Sequence, residues 1–124
     1  MQLKLSFVSI ISLTLFMACF SDVAAKDQTA FSATCDNISL DSGHILTADC
    51  EDAAGQTFPT SIDLNDCVLN NGGILQCGVN GNYFHSCNSC TLTQPSTLIC
   101  NCSPKGVPTS IDLNGCISNI RSEL

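Results

Sequence analysis

The chain has no tryptophan, one tyrosine and only four lysines and arginines. Without tryptophan, and with tyrosine so scarce, a flat aromatic stacking platform is not expected. Eleven acidic residues outweigh the basic ones and set the net charge at −7. An acidic surface repels phosphate backbones, which argues against nucleic acid as a partner. No basic amphipathic stretch marks a membrane-binding face. No sustained helical stripe follows residue 25, so long helices are not expected. His44 and His85 stand beside no nucleophile motif, and no catalytic role is read. No carboxylate cluster has the spacing of a calcium loop, and no metal or cofactor is expected.

Hydrophobic and cysteine-rich segments are present instead. Lys4 precedes an apolar run from Leu5 to Phe20, and Val23-Ala24-Ala25 offers small residues for cleavage. Residues 1–25 therefore read as a secretory leader, the run being shorter than the roughly 20 residues of a membrane span. Residues 26–124 read as one domain that keeps the net charge of −7, since Lys4 and Asp22 cancel. Nine of the ten cysteines fall in it. In a small exported domain cysteines form a disulfide framework that supplements a modest core. An odd count leaves one thiol over.

The second half of the chain repeats the first. Pro59-Thr60-Ser61-Ile62-Asp63-Leu64-Asn65-x-Cys67 recurs as Pro108-Thr109-Ser110-Ile111-Asp112-Leu113-Asn114-x-Cys116, with seven consecutive identities. Upstream, Cys35, Leu40, Leu46 and Cys50 match Cys87, Leu92, Leu98 and Cys102. Two copies are too few for a solenoid and indicate a pseudo-twofold domain, with repeat one over about 31–80 and repeat two over about 81–124.

Both copies read as β structure. Leu46, Ala48 and Cys50 alternate with polar residues, as Leu98, Cys100 and Cys102 do with their neighbours, which places each set on one strand face. Turns are expected at Asp41-Ser42-Gly43, Gln94-Pro95-Ser96 and Asn70-Asn71-Gly72-Gly73. Short helical turns are expected around Asp66 and Gly115. The register of the copies pairs Cys35 with Cys50 and Cys87 with Cys102, each closing a loop worth roughly 3 kcal/mol. It also pairs Cys90 with Cys100, which requires a bulge near Asn88. Cys67 and Cys77 flank the Asn/Gly turn and are expected to pair, leaving Cys116 as a free thiol. A zinc ribbon on Cys87, Cys90, Cys100 and Cys102 is less consistent with an exported chain. Asp63 and Asp112 read as structural turn acids and His44 as a solvated turn residue.

These features together resemble the cyanovirin-N homology domain, a mannose-binding lectin family. The likeness rests on the tandem repeat, on the aromatic-x-x-x-Cys openings Phe31 to Cys35 and Tyr83 to Cys87, and on Ser-Ile-Asp-Leu-Asn in each copy. The junction Gly81-Asn82-Tyr83-Phe84-His85-Ser86-Cys87 adds to it, and the extra cysteines resemble secreted fungal members. The resemblance implies an all-β cyanovirin-N-like fold of two pseudo-symmetric, disulfide-stapled lobes with strands exchanged between the repeats. It also implies a carbohydrate pocket at each end, without metal. By position, the first would draw on Thr34, Glu51, Asn119, Ile120 and Arg121. The second would draw on Asn70, Asn82, His85, Ser86, Ser103 and Lys105. Ala33 and Ala53 replace polar residues of the family pattern, Arg121-Ser122 replaces Asp-Gly, and His85 takes the place of a carboxylate.

Two functions follow as expectations. One is a secreted lectin binding mannose-rich or related glycans and glycoproteins. The other is a protein-interaction or effector module that keeps the scaffold and has lost the sugar. The fold allows a monomer or a domain-swapped dimer hinged at Gly78 to Gly81. Asn37-Ile38-Ser39 and Asn101-Cys102-Ser103 are glycosylation sequons.

Overall fold

The computed structural model describes residues 16–19 and 30–120. Its strands are β1 Phe16–Cys19, β2 Cys35–Asp41, β3 Ile45–Glu51, β4 Thr57–Asp63, β5 Val68–Asn71, β6 Ile74–Cys77, β7 Cys87–Thr93, β8 Thr97–Cys102, β9 Pro108–Asp112 and β10 Ile117–Ile120. Short 3-10 turns stand at Phe31–Ala33, Leu64–Asp66, Tyr83–His85 and Leu113–Gly115. Among the described residues there is no α-helix, in keeping with the all-β reading. The sheets are β2-β3-β4, β7-β8-β9, β5-β6 and β1-β10, all antiparallel.

The central strands follow the period of two in the sequence. In β3, Leu46, Ala48 and Cys50 are buried and alternate with half-buried residues; Leu98, Cys100 and Cys102 do the same in β8. Pairing slips once on each neighbouring strand, between Asp36 and Ser39 and between Asn88 and Thr91. Asn37 and Ser89 take positive φ at these bulges, 53° and 55°. The second bulge lets Cys90 meet Cys100 while Cys87 meets Cys102. The three hairpin pairings Cys35–Cys50, Cys87–Cys102 and Cys90–Cys100 form as the register requires.

The remaining disulfides differ from the expected scheme. Cys67 does not pair with Cys77, and Cys116 is not free: the bonds are Cys19–Cys67 and Cys77–Cys116. The physical reason lies in the register of the β5–β6 hairpin, where Cys77 stands opposite Val68 rather than Cys67. Residues one step apart on a strand point to opposite faces, so nearness in sequence did not mean facing sulfurs. Cys19 stands opposite Ile117 on β10 in the same way. The two bonds are thus symmetry mates, both with Cα–Cα 5.2 Å, and Cys77–Cys116 ties the repeats together. β1 lies within residues 1–25, the segment read as a leader; residues 1–15 and 20–25 lie outside the described residues. Cleavage after Ala25 would remove Cys19 and make Cys67 the odd thiol.

The lobes interlock through reciprocal contacts. Asp63 and Asp112 cap the 3-10 turns that follow them, accepting from Asn65 N and Asn114 N at 2.9 and 3.0 Å. They are the structural turn acids the sequence suggested. Asn65 Oδ1 then accepts from Phe84 N of the second repeat (2.9 Å), and Asn114 Oδ1 from Ser32 N of the first (3.0 Å). The β5–β6 hairpin of repeat one docks on the other repeat's sheet, where Leu75 N donates to Thr109 Oγ1. His44 is more than a solvated turn residue. Its Nδ1 lies 2.9 Å from Asp63 Oδ1, and its ring stands 4.9 Å from that of Phe84.

Phe31 and Tyr83 are fully buried at equivalent places in the core. The Tyr83 hydroxyl donates to Gly43 O at 2.7 Å. Burial pushes its pKa well above the ordinary phenol range, and the Asp63 charge adds to the effect.

The junction Gly78 to Gly81 is held to its own repeat by Gly78 N to Cys67 O (2.9 Å) and Asn80 N to Asp66 O (2.8 Å). A Cβ added at Gly81 would stand 2.3 Å from Val68 O. A backbone carbonyl has little freedom to retreat. Gly81→Ala is therefore expected to destabilise the fold toward the upper end of the roughly 1–3 kcal/mol typical of overpacking, read by denaturant unfolding.

Candidate functional site

The interlocking brings residues from both repeats together at two places. At one end, Asn70 on β5 reaches into the second repeat. Its Nδ2 donates to Ser86 Oγ at 2.9 Å and to Ser103 O at 2.8 Å. At the other end, Asn119 on β10 reaches into the first repeat. Its Nδ2 donates to Thr34 Oγ1 at 2.8 Å and to Glu51 O at 3.0 Å. Asn70 matches Asn119, Ser86 matches Thr34, and Ser103 matches Glu51, so one network occurs twice. Ser103 N to Ser86 O (3.0 Å) and Glu51 N to Thr34 O (2.9 Å) complete the correspondence.

Local structure fixes these positions. Ser86 and Thr34 each follow a 3-10 turn and donate their backbone N–H to the aromatic that opens it, Tyr83 and Phe31. The aromatics are locked in the core, which holds the hydroxyls at the surface beside the strand ends.

The ends are not equal. Asn70 is half-buried, and its Oδ1 accepts from Gly73 N at 2.7 Å. Asn119 is only 3% exposed, and its Oδ1 has no hydrogen-bond partner among the described residues. The counterpart of Gly73 is Ser122, which lies outside them.

Of the second-pocket residues, Asn70, Ser86 and Ser103 are joined directly. Lys105 lays its aliphatic chain over Gly73, where an added Cβ would stand 2.6 Å from Lys105 Cγ. Asn82 and His85 are exposed at the two ends of the 3-10 turn that leads to Ser86. Asn82 has φ 52° and its side chain makes no cap hydrogen bond. For the first pocket the structure joins Thr34, Glu51 and Asn119. Ile120 follows on β10, and Arg121 lies outside the described residues. The sequence reading missed Gly73 as a member, although the paired glycines of its turn pointed to backbone exposure there. Its φ of 101° and the overlying lysine leave no room for a side chain.

At each end an internal amide thus ties a hydroxyl to a backbone carbonyl. Neighbouring hydroxyls on a sugar ring are likewise donors and acceptors. Among the described residues, grooves of about 350 and 280 Å³ lie elsewhere, one on the outer face of β2-β3-β4 and one between β2 and β7. Among the described residues no group of three or more His, Cys, Asp or Glu is placed to hold a metal, and no helix is long and apolar enough to cross a membrane.

A family model for the CVNH domain matches residues 31–124. The chain belongs to the CVNH family. Solved CVNH structures share its fold. GzCVNH of Gibberella zeae is 26% identical, covering 68% of this chain and 84% of that one, with a TM-score of 0.61. Microvirin, solved as a mannobiose complex, is 31% identical over 68% of this chain and 86% of its own, with a TM-score of 0.54. A MoCVNH3 variant in complex with (N-GlcNAc)4 is 19% identical over 76% and 93%, with a TM-score of 0.68. No curated protein matches the chain. CVNH membership accounts for the two lobes and for the exchange of elements between repeats.

Proposed function

We propose that this CVNH chain is an exported lectin that binds mannose-rich glycans without metal and has no catalytic activity. The reading is carried by the duplicated network in which Asn70 spans Ser86 and Ser103, and Asn119 spans Thr34 and Glu51. Asparagine holds the walls of each pocket together, and the exposed groups beside it meet the sugar. We assign the Asn70 end as the stronger, because Gly73 closes its turn onto Asn70 Oδ1; the exposed groups there are Asn82, His85 and Lys105, beside half-buried Ser86 and with Ser103 as backbone support. Microvirin, which shares 31% of aligned residues, was solved with mannobiose, and this favours mannose as the sugar. Export is supported by the cysteines: four disulfides lie wholly within residues 26–124, a state that persists in oxidising compartments.

A glycan array probed with the purified protein tests the reading. Signal is expected on mannose-terminated glycans and unchanged in EDTA. Silence across the array would favour an effector module, and signal that needs calcium would contradict the metal-free pocket.

A further inference from the structure

One sequon asparagine lies in the β-bulge of its lobe and the other on the strand beside it. In the first lobe Asn37 is a bulge residue of β2 whose side chain reaches Asp49 on β3, the ladder partner of Asp36; in the second, Ser89 and Asn101 stand at the matching positions, and Asn101 pairs with Asn88. The sequons therefore meet different surroundings. Asn37 lies on an edge strand, at the bulge, with φ 53°. Asparagine tolerates that conformation better than most residues. Asn37 and Ser39 are exposed while Ile38 between them points into the core. The Asn37 amide stands at a groove of about 350 Å³ lined also by Thr47, Asp49, Thr60 and Ser61. It donates one hydrogen to Asp49 Oδ2 at 2.8 Å, and an amide nitrogen carries two. Asn101 is half-buried on the central strand β8, between Asn88 and Pro108. The middle residue of its sequon, Cys102, is fully buried in the bond to Cys87, and Pro104 follows the serine.

We propose that Asn37 carries an N-linked glycan and that Asn101 stays bare. The proposal rests on the export reading above. In the transfer, Asn37 Nδ2 forms a bond to C1 of the first N-acetylglucosamine of a lipid diphosphate-linked oligosaccharide. The C1–O bond to the diphosphate breaks, the lipid diphosphate leaves with the bonding pair, and the amide loses one proton. The second N–H remains for Asp49, so the product fits the folded sheet, and Thr47 and Ser61, cross-strand partners on the outer face, line the seat of the first sugar. Asp49 and Glu51 share the outer face of β3, two residues and so roughly 7 Å apart. The glycan therefore rises beside the first pocket and leaves the Asn70 end clear.

The test uses the full chain expressed in a secreting eukaryotic host. Enzymatic glycan release in heavy-oxygen water marks each occupied asparagine as labelled aspartate for peptide mass spectrometry. Label is expected at Asn37 and not at Asn101, and both Asn37→Gln and Ser39→Ala should abolish the gel shift caused by the glycan. Secreted protein with Asn37 unlabelled, or with Asn101 labelled, would overturn the assignment while leaving export intact. Protein that never reaches the medium and bears no sugar at either asparagine would overturn both.

Discussion

Replacing Asn70 by alanine is expected to weaken mannose-glycan binding at least thirtyfold, which corresponds to about 2 kcal/mol. One amide makes three contacts at that end: to Ser86 Oγ, to Ser103 O and from Gly73 N. Each net hydrogen bond is worth about 0.5–1.5 kcal/mol, and their loss also lets the hairpin tip drift from the Ser86 wall. Asn70→Asp separates support from folding. It keeps the acceptor for Gly73 N but turns a negative oxygen on the Ser103 carbonyl, so the hairpin survives while the pocket opens. Asn119→Ala should change overall affinity less than threefold, because Asn119 is buried at the end we assign as weaker. Calorimetry on the three variants checks this, with melting curves as the control. Two sites of equal affinity in the parent, or a larger binding loss in Asn119→Ala, would refute the asymmetry.

Converting Cys77 and Cys116 together to serine is expected to cost about 4 kcal/mol of stability. The bond spans a sequence separation of 39, and the chain-entropy model gives roughly that value for a loop of such length. In a domain of this size the melting temperature should fall on the order of 15 °C or more. The effect should exceed that of removing Cys90–Cys100, whose separation is only 10. The difference has a structural source beyond loop length. Cys77–Cys116 fastens the exchanged hairpin of repeat one to repeat two, whereas Cys90–Cys100 reinforces two strands already paired. A double serine variant that melts within a few degrees of the parent would show that the lobes hold without it.

Much of this was legible in the chain because repetition supplies an internal alignment. The bulge needed to reconcile Cys87 with Cys90 followed from comparing the copies, the period of two in β3 and β8 from alternation within each strand, and the Asn/Gly hairpin from its turn residues. The grouping of Asn70 with Ser86 and Ser103, and of Thr34 and Glu51 with Asn119, followed once the family resemblance placed them. The pairing of Cys67, Cys77 and Cys116 did not follow. It depends on which hairpin face each sulfur occupies, and that is set by a one-residue register between Cys77 and Val68 that flanking turn residues do not reveal. Cys19 was passed over because its apolar surroundings signal a leader as strongly as a strand. His44 was read as solvated because its partners are remote in sequence: Phe84 stacks near it from the other repeat, and Asp63 arrives from the end of β4.

Chemical-shift mapping of the labelled protein during titration with an α-linked mannobiose tests the lectin assignment most directly. The expected result is saturable shifts in the backbone amides of Gly73, Asn82, Ser86, Ser103 and Lys105, with weaker changes near Thr34 and Glu51, all unaffected by EDTA. Saturable shifts confined to the outer face of β2-β3-β4, or no shifts at millimolar sugar, would contradict it.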